Sequence, residues 1–341
     1  MKKVLLLIVL SIGLFGLHHL SFALQISQIE FDLILTPGET RTFSFQVRND
    51  IEDSQRISVY LGDWDRDSLG NNQFFELGTI DRSLCPWLSV NPTSFTLGPD
   101  EVQEVTGTLM IPASGEGSLN GTYWGIIFVQ GEPRPMETKG ATVLAIERFG
   151  VKVYGTMAGA GPRRGKINGV ENKGQTPLWL WVKFINSGIV NLDQITGWVE
   201  VLDSSATSVA KLDVEGFSCL PGYERWVRVN TDLNLSAGEY LIMAVLDIGA
   251  DNLIGGRQTL RIQELSLEPI GGAGALPQDL DGDGLYEDIN GDSLFDTADS
   301  QLFLVTFDQP VVQRNFRAFD FNNDGIVGWN DVSQHLKLLN D

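Results

Sequence analysis

Residues 277–341 carry 13 acidic side chains against 3 basic ones, a net of −10, half of the formal −20 of the 341-residue chain. A stretch so charged resists collapse on its own, so something must neutralise it before it folds. The spacing of the acids says what. Asp320, Asn322, Asp324, Gly325 and Asp331 stand at positions 1, 3, 5, 6 and 12 of an EF-hand-type loop, with the Ile326 carbonyl at position 7. Asp288, Asn290, Asp292, Asp296 and Asp299 take positions 1, 3, 5, 9 and 12 of a second copy. Calcium is a hard cation that takes six to eight oxygens at roughly 2.3–2.6 Å, and one turning backbone with this spacing supplies most of them. Each copy leads into an apolar, helix-like run, which makes Ca2+ the expected cofactor and metal-driven ordering the expected folding route. The bland alternative is a solvated acidic loop without metal.

The two copies differ. Ser293 stands where the second copy has Gly325, so a left-handed backbone costs more there. Position 12 is Asp in both, one methylene shorter than the usual Glu. A third, overlapping ladder begins at Asp279, Asp281 and Asp283, followed by Gly284; it reads either as an extra ion site or as a solvated spacer.

This tail resembles a dockerin, the paired-loop calcium module that docks onto cohesin domains. The resemblance covers residues 279–341. Helices are expected over 297–306 and 329–339, where Leu302 and Val305, then Val332, Leu336 and Leu339, recur at helical spacing. An intervening helix is expected over 311–319. Pro277 and the glycines at 282 and 284 argue against a helix entering the first loop, which an ordinary EF-hand would have. In the family, loop positions 10 and 11 help select the cohesin. Here these are Thr297 and Ala298 in one loop and Trp329 and Asn330 in the other, so the resemblance implies a partner-binding surface with two unequal faces.

The opposite end reads as an export signal. Lys2 and Lys3 precede an apolar run over 4–17, and Ser21, Phe22 and Ala23 fit a small–x–small cleavage site. The run is shorter than the ~20 apolar residues of a spanning helix, and nothing later is long or apolar enough to span. The expected arrangement is a signal peptide at 1–23, β-sandwiches at 24–160 and 164–266, a flexible linker at 267–278 and the calcium module at 279–341. The expected location is secreted or at the cell surface. Acidity without a basic stripe excludes nucleic-acid binding. Cys85 and Cys219 are the two cysteines, either bridged or both buried as thiols. Of three histidines, His18 and His19 lie in the leader and only His335 remains, so no Ser–His–Asp, Cys–His or zinc set assembles, and an enzyme is not expected.

Between leader and tail the chain is all β. Apolar alternation over 29–35, 42–47, 57–61, 88–90, 105–111, 124–129 and 143–157 is punctuated by Pro37-Gly38, Gly98-Pro99 and a glycine-rich stretch at 115–121. The expected fold class is mainly β: two immunoglobulin-like antiparallel sandwiches followed by a small helical module. The sequence over 43–49, Trp87 through Pro92, Tyr123-Trp124 and residues 144–154 resembles the first domain of pilus chaperones, the PapD-like family. That resemblance implies that Lys152 matches a lysine gripping a subunit's terminal carboxylate. The family's companion arginine is absent from the first strand, which carries Glu30 and Asp32, so Lys152 is expected to face solvent. In the second sandwich Trp179, Trp181 and Trp226 read as core or interdomain packing rather than a sugar platform, and Arg163-Arg164 as a solvated hinge. The leading functional reading is a non-catalytic exported adaptor whose tail docks onto a cohesin-like partner. The alternatives are a carbohydrate- or surface-binding protein and a pilus-type chaperone.

Overall fold

The computed structural model describes residues 24–113, 119–138, 141–175, 178–230, 233 and 235–339. The expected leader at 1–23 and most of the turn at 115–121 lie outside them. The first set of strands is β1 (Leu24–Ile26), β2 (Glu30–Leu35), β3 (Thr40–Asn49), β4 (Gln55–Arg66), β5 (Asn72–Phe75), β6 (Leu88–Asn91), β7 (Ser94–Leu97), β8 (Val102–Met110), β9 (Thr122–Gly131), β10 (Arg134–Thr138), β11 (Ala141–Ala145) and β12 (Arg148–Met157). One sheet runs β1-β3-β8-β6; the other runs β2-β12-β9-β4-β5, with β7 also on β4. Period-two alternation explains the core. β3 turns Phe43, Phe45 and Val47 inward and Ser44 and Gln46 outward. The facing sheet answers with Ile127, Val129, Val151 and Val153. Each such side chain contributes roughly 1.5–3 kcal/mol by leaving water.

The second set is β13 (Lys166–Gln175), β14 (Leu178–Ile185), β15 (Leu192–Leu202), β16 (Ser208–Cys219), β17 (Glu224–Asn230), β18 (Gly238–Asp247) and β19 (Ile254–Ile262). They form sheets ordered β13-β14-β17 and β16-β15-β18-β19 around a separate core. β14 buries Leu178, Leu180, Val182 and Phe184 and turns Trp179, Trp181 and Lys183 outward. Of the expected core or interdomain packing, the core is therefore corrected for Trp179 and Trp181. The Arg228 guanidinium lies 3.2 Å from the Trp179 ring centre and the Lys183 ammonium 4.0 Å from that of Trp226, so the rings are covered by cations on an outer face.

β9 is buried on both faces, which a single sandwich does not require. Ile127 and Val129 enter the first core, while Trp124, Ile126 and Phe128 join Trp64, Tyr154 and Leu220 in a cluster between the sandwiches. Polar contacts cross the same seam. Tyr223 donates to Asp65 at 3.0 Å, Trp226 N–H to the Ser68 carbonyl at 2.7 Å, and Thr122 N–H to the Ile189 carbonyl at 2.7 Å. Arg163 is no solvated hinge: its Nε donates to the Ile248 carbonyl at 2.6 Å and its Nη2 meets Asp193 at 2.5 Å. Cys85 and Cys219 are both buried and unbridged, and burial pushes each thiol up to about 11.

The carboxyl-terminal part contains α1 (Thr297–Thr306), α2 (Pro310–Arg314) and α3 (Trp329–Leu338), with a 3-10 turn at Phe316–Ala318. The stretch expected as one helix over 311–319 is divided at Asn315. The Asn315 side chain bonds the Ser266 N–H and carbonyl, at 2.7 and 2.9 Å, and also the Val311 carbonyl. An amide side chain that satisfies backbone groups in this way competes with helix continuation. Residues 267–278, expected as a free tether, instead run against the module: Ile270 is fully buried with Phe303, Val312 and Phe319, and Leu265 and Leu267 pack beside them. Arg317 ties the module back to the Gln263 and Leu235 carbonyls at 3.0 and 3.1 Å. No helix among the described residues is long and apolar enough to cross a membrane.

Candidate functional site

Two places concentrate chemistry. The first is a cleft of about 560 Å³ between the sandwiches, lined by Arg66, Asn72 and Lys152 from one side and Asp193, Ser218 and Arg225 from the other. β12 and β4 place Lys152 and Arg66 on the sheet face opposite the first core, because Val151 and Val153 take the inward positions. Lys152 does not face solvent as expected. It is half-buried, donates to Asn72 Oδ1 at 3.2 Å and lies 4.4 Å from the centre of the Trp64 ring. Burial, and then the neighbouring Arg66 charge, push its ammonium down to about 8. Arg66 also stands over Trp64, at 5.3 Å, and donates to Ser218. Burial and Arg66 likewise lower Arg225.

A strand edge opens beside this cleft. β2 pairs in parallel with β12 only from Lys152 to Met157, whereas β9 pairs with β12 from Arg148 onward. Among the described residues no strand covers the other side of 148–151. Lys152 N–H reaches the Ile29 carbonyl at 2.8 Å, and backbone groups alternate sides along a strand, so the N–H groups of Arg148 and Gly150 point to the open side. Just ahead, the hairpin of β10 and β11 leads into Leu144 and Ile146, 70% and 54% exposed. Arg148 lies over Phe128 and Phe74, continuing an apolar and cationic strip toward Lys152.

The second place is the acidic tail, where three loops share one hydrogen-bonding scheme. Asp320 accepts from the N–H groups of Asp324 and Gly325, Asn322 from Asp324, Asp324 from Ile326, and Asp331 from Asn322 and Gly328. Asp288, Asn290, Asp292 and Asp299 repeat it in the first copy, with Asp288 accepting from Gly291, Asp292 and Ser293. Ser293 adopts φ +70°, the left-handed backbone that glycine takes more readily. Asp296, expected as the position-9 ligand, also caps α1: its carboxylate accepts from Ala298 N–H at 2.7 Å. The third ladder is also formed. Asp279 accepts from Gly282 and Gly284, Asp281 from Asp283, and Asp283 from Leu285. Thr297, Ala298, Trp329 and Asn330 are all exposed, at the first turns of α1 and α3.

Among the described residues, Asp279, Asp281, Asp283 and Glu287 are the acidic group whose ligand oxygens all lie within 4.8 Å of one another, so this cluster suits a divalent cation. Burial raises Asp283, Asp299 and Asp331 above the ordinary carboxylate range and pushes Glu287 and Asp320 up to about 7, with neighbouring carboxylates adding to it. Carboxylate oxygens held together against their own repulsion are the donor set a hard cation relieves. Glu287 escaped the sequence reading because it abuts Asp288, the start of the next loop, yet it sits at position 9 counted from Asp279. Arg66 and Arg225 left no signal at all, since only the meeting of two sandwiches brings them together.

No family model matches the sequence, and no curated protein does. Solved structures do resemble it. The chain aligns with the YadV chaperone at 12% identity and a TM-score of 0.38, over 70% of this chain and 100% of that one. It aligns with the Escherichia coli chaperone DraB at 13% and 0.36, over 71% and 97%. A CsuC–CsuE chaperone–tip adhesion subunit pre-assembly complex from archaic chaperone-usher Csu pili of Acinetobacter baumannii aligns at 12% and 0.37, over 71% and 99%. At such identity and superposition, similarity does not transfer function.

Proposed function

We propose that the chain is a non-catalytic, exported protein-binding protein that receives an extended segment of a partner polypeptide along the open edge of β12, in the manner of a pilus-type chaperone. One observation carries the reading: the uncovered backbone at Arg148 and Gly150 runs from exposed Leu144 and Ile146 directly to the cationic cleft at Lys152. An added strand gains its affinity from main-chain bonds to such an edge and its selectivity from alternate side chains. Amide hydrogen exchange tests it with synthetic extended peptides of alternating apolar residues. Arg148 and Gly150 exchange fast in the free protein and become protected with a bound peptide; peptides that bind without protecting these two amides refute strand addition.

The acidic loops favour a second role that coexists with the first. Their closely set, mutually repelling carboxylates support calcium binding at Asp288, Asn290, Asp292, Asp296, Asp299, Asp320, Asn322, Asp324, the Ile326 carbonyl and Asp331, and a third ion at Asp279, Asp281, Asp283 and Glu287. A calcium-loaded tail would then offer Thr297, Ala298, Trp329 and Asn330 to a cohesin-like partner. Calcium titration of the whole chain, followed by circular dichroism and calorimetry, tests the ion. A panel of cohesin domains, with and without chelator, tests the partner.

A further inference from the structure

We infer that the outer face of the β13-β14-β17 sheet binds a neutral glycan, with the Trp181 indole as the stacking ring and Glu171 and Arg228 as its hydrogen-bonding flanks. The inference is independent of strand addition, which uses β12 of the first sandwich. Parity builds the face. β14 alternates buried and partly exposed residues, so Trp179, Trp181 and Lys183 stand together on the outward side. In the sheet register Trp181 lies opposite Glu171 of β13 and Arg228 of β17, while Lys183 lies opposite Trp226. Neighbouring strands are about 4.8 Å apart, so the two charged flanks bracket the Trp181 ring across about 10 Å of sheet. The three indoles are not equivalent. Arg228 stands over Trp179 and Lys183 over Trp226, whose indole N–H also donates to Glu224. Trp181 is partly exposed, and among the described residues neither a cation nor a second aromatic ring stacks on it. A large ring left open on a surface is the informative departure from an ordinary exterior.

Charge decides what the face takes. Lys183 and Arg228 are balanced by Glu171 and Glu224, and Lys183 pairs directly with Glu171. A face without net charge attracts neither a polyanion nor a polycation. What it offers is an apolar ring between an acceptor-only carboxylate and a donor-only guanidinium. A pyranose with equatorial hydroxyls fits that set. Its ring C–H groups form an apolar side for the indole, and its rim hydroxyls donate to Glu171 and accept from Arg228 in charge-assisted bonds. The flank toward β13 is low: Gly169 lies opposite Lys183, and only the Lys183 chain comes within 4.0 Å of where a Cβ at 169 would stand. A glycan chain can therefore run across the strands over Trp181.

Calorimetric titration of the full chain with cellohexaose and xylohexaose tests the face, with oligogalacturonate as the polyanionic control. Saturable binding of a neutral hexasaccharide is expected, and Trp181→Ala should weaken it at least about tenfold, as expected for loss of a stacking ring. Trp181→Phe, which keeps a flat ring, should retain more of the affinity and guards against misfolding of the first variant. Arg228→Gln should weaken binding as well, through loss of the charge-assisted donor. Failure of both neutral hexasaccharides to bind, equal binding by wild type and Trp181→Ala, or preference for oligogalacturonate overturns the inference. So does a concentration-dependent dimer in sedimentation that Trp181→Ala abolishes, because the face then belongs to a second copy of the chain.

Discussion

Trp64→Ala is the sharpest probe of whether the two sandwiches behave as one body. Trp64 is fully buried, donates its indole N–H to the Gly125 carbonyl at 3.2 Å and packs edge-on against Tyr154 at 5.8 Å. A tryptophan of this kind removes roughly 150–250 Å² from water. At about 25 cal/mol per Å² that is about 4–6 kcal/mol, an upper bound because denatured chains already bury some of it. Large-to-small replacements of buried aromatics cost about 3–5 kcal/mol, so a loss near 4 kcal/mol is expected. The cluster also holds Leu220 from the second sandwich, so the loss should weaken the coupling between the two cores as well as the first core itself. Urea unfolding read by tryptophan fluorescence, beside scanning calorimetry, shows both effects. The midpoint of the first sandwich falls, and one shared transition becomes two. A double cycle with Leu220→Ala should yield a coupling of about 0.5–3 kcal/mol. A loss below about 1 kcal/mol, or a zero coupling, would refute the account of the seam.

Three further outcomes follow from the same contacts. Lys152 has its ammonium held near 8 in the folded chain against 10.5 as its ordinary value. The folded state thus carries the full cost of the charge below about pH 8 and sheds it as pH rises toward 10.5, so wild type gains stability relative to Lys152→Met across that window. A constant difference in melting temperature from pH 7 to 10.5 would contradict this. Calcium at a hundred times its Kd should stabilise the tail by about 2.7 kcal/mol, and Asp320→Ala should remove most of that gain. Identical melting in calcium and in chelator counts against the ion. Phe303→Ala, at the centre of the tail's core with Phe319, Phe321 and His335, should cost about 3–5 kcal/mol, read as early loss of helical dichroism.

Local patterns were legible wherever one physical period dominated. Strand alternation is visible in Phe43, Phe45 and Val47, and the helix over Thr297–Thr306 is legible from its apolar spacing. Asn315 shows where such reading fails. Nothing in the run at 311–319 reveals that one amide will bond Ser266, a residue far back in the chain, and so break the helix. Trp179 and Trp181 fail for a related reason. Hydrophobicity places them inside, but strand parity puts Leu178, Leu180 and Val182 there first, and the Trp179 ring is left to Arg228 on the outer face.

Lys152 carries the same lesson into function. As a lysine on a strand it reads as solvated, and the absence of a basic partner in the first strand argues against an anion anchor. Parity again decides: with Val151 and Val153 inward, Lys152 is forced onto the face that the second sandwich partly covers, where Trp64 shields it and Asn72 holds it. The seam also brings Arg66 and Arg225 to the same place from elsewhere in the chain. A cleft built by packing two sandwiches obeys the pairing of sheets rather than the order of residues. Its cations are therefore best sought among groups left without acceptors once the fold has formed, and Arg225 is such a group.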